Sequence, residues 1–188
     1  MCQFKSFICT EKKLYVTIGV NSHEDIIDIF NLKDDPEKIV RLELIPNKYT
    51  LEEFKNVDRW KFNVDQDKLP GWFIPMEWEE ECKKWMKKNI IFEDKKIIHE
   101  QIEVYCGKCE KMVGNGSITI LLGSISKVYG FASIAEVYGS ASIAEVYGFA
   151  SISKVYDSAS IAKVCGSASI ARVRGSASIK TDYRIKGE

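Results

Sequence analysis

From Gly123 onward the chain nearly copies itself every nine residues: FASIAEVYG, SASIAEVYG, FASISKVYD, SASIAKVCG, SASIARVRG and SASIK. Nine residues are too few for a helical-hairpin repeat. Each unit alternates through Ala-Ser-Ile, is rich in β-branched residues and ends at a turn residue, so it reads as a short strand plus a corner. Ala132, Ile134 and Val137 face inward in this scheme, while Ser133, Glu136 and Tyr138 face outward. A single unit cannot bury its apolar face alone, so the units must stack into a parallel β-solenoid.

The coil length follows from a second period. Phe131 and Phe149 lie two units apart, with Ser140, Ser158 and Ser176 in the alternate slots. Lys127, Glu145 and Lys163 form one row of alternating sign; Glu136, Lys154 and Arg172 form the other, whose first pair is opposite in sign. Stacked strands sit about 4.8 Å apart, where like charges repel and opposite charges attract. A two-sided roll of about 18 residues per coil, two nine-residue units, satisfies both patterns. A three-sided coil would stack Phe131 on Ser158 and satisfies neither. The turns carry a single Gly, or Asp157, instead of the Gly-Gly-x-Gly-x-Asp of calcium-binding rolls, so a calcium-dependent fold is not expected.

Composition changes near Met112. Residues 113–188 hold 8 basic and 5 acidic residues, and every Trp and Pro lies before residue 113. The expected organisation is an α+β head over 1–112 and a solenoid over 113–188. In the head, strands are expected at 4–9, 14–20, 39–45 and 60–64. A helix capped by Ser22 should bury Ile26, Ile27 and Phe30, and a second should run over 76–89 with Trp78, Cys82, Trp85 and Met86 on its apolar side. The stretch 97–105 reads as a strand that already resembles a first, irregular rung.

The whole chain carries 27 basic and 27 acidic residues, so net charge points to neither a nucleic-acid nor a membrane partner. No apolar run approaches the ~20 residues of a membrane span. The N-terminus lacks a signal-peptide pattern, so the six cysteines are expected to be reduced thiols in a cytoplasm.

Several residues carry chemistry in principle. Cys2 follows Met1; removal of the methionine would leave an N-terminal cysteine, with thiolate as nucleophile and free amine as base. His23 and Asp65 would orient or assist it, and Glu43 would join them if the strands at 39–45 and 60–64 are neighbours. Each also has an ordinary structural role, as strand start or turn residue. Cys106 and Cys109 have half a zinc-knuckle spacing without a second half, so no metal is expected. The exposed Tyr138 and Tyr156, the basic Arg172 and Arg174, and Trp72 are the candidate binding residues. The basic end of the solenoid suits phosphates, yet charge there equally blunts an open sheet edge, so nucleic acid is not favoured. No motif requires a cofactor.

The opening MCQFKSFI, the Ser22-His23-Glu24-Asp25 helix start, the strand from Val40 to Pro46 and the Val64-Asp65-Gln66-Asp67…Pro70-Gly71-Trp72-Phe73 segment resemble a family of uncharacterised bacterial and prophage proteins. Members of that family also carry C-terminal nine-residue repeats. The resemblance covers most of the chain except 47–57 and transfers no catalytic residue. It implies a phage or prophage setting, in a host cytoplasm. The expected function there is a binding protein whose head recognises a host protein or small ligand and whose rigid solenoid supplies a recognition or self-association surface, with interference with a host defence or regulatory factor as one use. The alternative is an N-terminal-cysteine hydrolase or transferase.

Overall fold

The computed structural model describes residues 4–184. The chain divides into two compact units, 1–48 with 52–88 and 49–51 with 89–188.

The first unit is built on a four-stranded antiparallel sheet of order β2-β1-β3-β4, formed by β1 (Lys5–Thr10), β2 (Lys13–Tyr15), β3 (Val40–Ile45) and β4 (Lys61–Val64). Successive strand residues point to opposite faces, so each face takes its own helix. Ile8 meets Ile26 and Ile27 of α1 (His23–Ile29), together with Ile39. Phe7 meets Trp85, ring edge to ring face at 5.7 Å, after the short α2 (Leu51–Phe54) and within α3 (Pro75–Asn89). Helix α1 starts where Ser22 accepts a hydrogen bond from the Asp25 amide at 3.2 Å, the expected cap. On α3 the expected Cys82 and Met86 are fully buried, whereas Trp78 and Trp85 are only partly covered.

One expected strand is shorter than its alternation implies. Residues 16–20 do not continue β2. The fully buried Lys5 donates its ammonium to the carbonyls of Thr17 (2.8 Å) and Val20 (3.0 Å), and Gly19 takes φ +77°. Those carbonyls turn inward to a cation instead of outward to a ladder.

The second unit is the solenoid. Its strands are β5 (Ile90–Ile91), β6 (Lys95–Ile98), β7 (Gln101–Tyr105), β8 (Lys108–Met112), β9 (Ser117–Leu121), β10 (Ser124–Val128), β11 (Ser133–Val137), β12 (Ser142–Val146), β13 (Ser151–Val155), β14 (Ser160–Gly166), β15 (Ser169–Val173) and β16 (Ser178–Arg184). They form two parallel six-stranded sheets, odd strands in one and even strands in the other. Ile134 pairs with Ile152 and Ile152 with Ile170, while Ile143 pairs with Ile161. This is the two-sided coil of about 18 residues. The inward Ala, Ile and Val positions from Ala132 to Val164 are at most 1% exposed.

The coils begin at Ile90, ahead of the expected boundary at 112, and the repeat becomes regular only from Ser124. The register shows why the earlier coils hide. Ile90 pairs with Val104, a step of 14 residues; Gln101 pairs with Ser117, a step of 16; Ser124 pairs with Ser142, a step of 18. Before β10 the corners vary between two and four residues, whereas from β10 to β14 each has four. The changing corner erases the period that makes the later coils visible.

Candidate functional site

His23, the first residue of α1, lies over the sheet face that carries Glu43 of β3. Asp65 continues β4, its amide donating to the Arg41 carbonyl at 2.9 Å. Gln66 fixes that end: its side chain accepts from the Arg41 amide (3.1 Å) and donates to the carbonyls of Ile39 (3.3 Å) and Lys68 (2.6 Å). Strands β3 and β4 are neighbours, with Glu43 opposite Asn63. Potential ligand atoms of His23, Glu43 and Asp65 therefore all lie within 4.8 Å of one another. His23 Nδ1 is 3.5 Å from Asp65 Oδ2, and His23 Nε2 is 3.0 Å from the Leu42 carbonyl oxygen. A carbonyl only accepts, so Nε2 carries the hydrogen and Nδ1 faces the carboxylate. His23 and Glu43 are buried, whereas the Asp65 side chain is 55% exposed. The imidazole and its carboxylate can move a proton between them or bind a cation together. Cys2, the expected nucleophile, lies outside the described residues.

The other expected residues fall elsewhere. Trp72 is half-buried, donates its indole N–H to the Glu37 carbonyl at 3.2 Å, and meets Phe73 and Trp78 edge to face. It lines a shallow depression of about 380 Å³ with Thr10, Glu11, Lys12, Glu37 and Lys38. In the solenoid, Tyr138 and Tyr156 stack at 4.9 Å. Tyr49 stacks on Tyr138 in turn, at 4.2 Å, and covers that corner. Tyr138 donates to Glu136 at 2.8 Å; burial above all, then this bond to an anion, pushes its phenol upward. Burial pushes Tyr49 up to about 12. Lys154 closes the row with a 2.7 Å ion pair to Glu136, as the alternating signs anticipate. Arg172 then stacks on Lys154, a like-charged step, and both it and Arg174 are exposed near the last described strands.

The opposite corner is open. Tyr129 stacks on Tyr147 at 5.0 Å, and Phe131 on Phe149 at 5.4 Å, as the second period requires. Phe131 is 67% exposed and Phe149 64%. These phenylalanines are absent from the expected binding residues, although the sequence holds the signal: they replace a Ser that the other units keep. Cys109, by contrast, is a core residue. Its buried sulfur takes the place of an isoleucine in the row of Ile125, Ile143 and Ile161, and burial pushes its thiol upward. Among the described residues, the groups placed to share a metal ion do not include Cys106 or Cys109.

No family model matches the chain, and neither a curated protein nor a solved structure is significantly similar to it. Among the described residues, no helix is long and apolar enough to cross a membrane.

Proposed function

We propose that this chain is a binding protein of phage or prophage origin that engages a host protein through the aromatic corner of its solenoid. The observation that carries the reading is the stacked, exposed pair Phe131 and Phe149. The fold does not need them, because Ser140, Ser158, Ser167 and Ser176 fill equivalent corner slots. Two large apolar rings held in water on a rigid support, beside stacked Tyr129 and Tyr147, have the make-up of an interaction hot spot. The phage setting, the host cytoplasm and an action against a defence or regulatory factor rest on the resemblance of the head segments.

The double substitution Phe131→Ser/Phe149→Ser copies the repeat's own alternative and should leave thermal stability unchanged. Crosslinked capture from bacterial lysate should lose its partner in this variant, while Tyr138→Ser, which removes the ring stacked on Tyr49, should still capture the partner. Equal capture by the double variant and the wild type would remove the aromatic corner as the recognition surface.

The 3.5 Å approach of His23 and Asp65 favours a second reading, a Cys2 hydrolase or transferase. That reading requires Cys2 to alkylate with iodoacetamide far faster than the half-exposed Cys165 at neutral pH. Equal, slow labelling would eliminate it.

A further inference from the structure

We propose that His23, Glu43 and Asp65 form a binding site for one divalent transition-metal ion of the Zn²⁺ or Mn²⁺ type. This goes beyond the binding function of the solenoid and does not depend on it.

Three observations carry the site. The first is the orientation of the ring. Nε2–H is committed to the Leu42 carbonyl at 3.0 Å, which fixes the tautomer and turns Nδ1 toward Asp65. A histidine ligand is typically held this way, its second nitrogen donating to a backbone carbonyl.

The second is the state of Glu43. Its residue is 4% exposed, and among the described residues its single hydrogen-bond partner is the neutral Asn63 amide, at 3.3 Å. None of the ion pairs of the described residues includes it. A carboxylate this enclosed, with one neutral partner, is placed to gain from a cation beside it.

The third is the fit of the donor set. Donor atoms sharing one ion at about 2.0–2.2 Å from it lie about 3–4 Å apart, and the His23–Asp65 distance of 3.5 Å is already there. The Asp65 side chain is 55% exposed and can make the remaining adjustment. One imidazole nitrogen with two carboxylates is too poor in oxygen for calcium and contains no sulfur for a soft ion. Three protein ligands also leave coordination positions open, and Asp65 places them toward solvent, where water or an anionic group could enter.

The test uses the full chain stripped with chelator. Zn²⁺ binding is followed by calorimetry and Mn²⁺ binding by electron paramagnetic resonance, in wild type, Asp65→Asn and Glu43→Gln. Asp65→Asn alters an exposed side chain and should fold normally, so it keeps the test decisive even if Glu43→Gln destabilises the head. The expected result is one ion per chain, with affinity for the bound cation reduced at least ~tenfold in Asp65→Asn. The better-bound cation identifies the site's preference. Zn²⁺ should also raise the melting temperature of wild type and not of Asp65→Asn, which separates this site from adventitious binding at the cysteines. Absence of saturable binding of both cations, or a smaller loss in Asp65→Asn, would overturn the proposal.

Discussion

A single buried cation at position 5 redirects a whole segment of the head. The sequence 14–20 alternates as a strand should, yet only Lys13–Tyr15 pairs. The ammonium of Lys5, with two carbonyl partners and the Trp85 ring 5.0 Å away, takes the backbone groups that a longer strand would have used. Alternation reports which side chains share a face; it does not report a lysine that enters the interior. Lys5→Met keeps the stem and removes the donors, leaving buried carbonyls without them. The head should lose about 1–3 kcal/mol in urea unfolding followed by tryptophan fluorescence. An unchanged midpoint would mean that water replaces the ammonium. The His23, Glu43 and Asp65 cluster was legible for a related reason. Helix capping at Ser22 and alternation in β3 place two of its members, and only the β3–β4 pairing had to be supplied by the structure. The Leu42 carbonyl that orients the ring leaves no trace in sequence, since every residue has a carbonyl. The thiols carry a second prediction at this scale. Burial pushes Cys9 up to about 12 and Cys82 upward as well, so neither is a thiolate near neutral pH. Both should resist alkylation at pH 8 in the native chain and react on addition of urea; fast native labelling of either would show that the head opens locally.

At the scale of the element, the solenoid was legible where its corners are constant and hidden where they vary. Ile, Val and Ala recur on schedule from Ile125 onward because strand and corner together take nine residues in every unit. Asp157 shows how forgiving that corner is: it holds φ +57° and uses its carboxylate to accept from the Gly139 amide at 3.1 Å. The earlier corners are less forgiving. Between β9 and β10 the chain turns in two residues, and a Cβ on Gly123 would run into the carbonyl of Gly107 in the coil beneath. The obstacle is backbone, which cannot swing aside as a flexible side chain would. Gly123→Ala should therefore destabilise the solenoid by about 3 kcal/mol, the upper part of the usual range for overpacking. Gly71→Ala is the control, since a Cβ there meets nothing within 4 Å and should change stability by no more than about 0.5 kcal/mol. Equal midpoints for the two variants in thermal unfolding followed by far-ultraviolet circular dichroism would refute the corner as a point of close packing.

At the scale of the molecule, two different kinds of cooperativity share one chain. The head closes its core between a sheet and helices, so its parts stand or fall together. Each solenoid coil touches only the coils next to it, and its stability is set by nearest neighbours. The exposed Arg172, Arg174 and Lys180 near the last described strands fit this arrangement, because charge discourages unwanted pairing at an open edge. The chain also carries a convenient reporter: Trp60, Trp72, Trp78 and Trp85 all belong to the first unit. Tryptophan fluorescence therefore reads the head, while the tyrosine ladder and far-ultraviolet signal weigh toward the coils. Ile152→Asp tests the difference. Ile152 is 1% exposed and stacked between Ile134 and Ile170, where a carboxylate would find only apolar neighbours. Such a burial costs about 3–5 kcal/mol if the charge persists. The coil that carries it should open, and its neighbours on each side should weaken because they lose a stacking partner. Limited proteolysis should then cut within and around 151–155 while tryptophan emission and the head fragment stay native. Simultaneous loss of the tryptophan signal and the coils would show that the two units unfold as one, against a nearest-neighbour description confined to the coils.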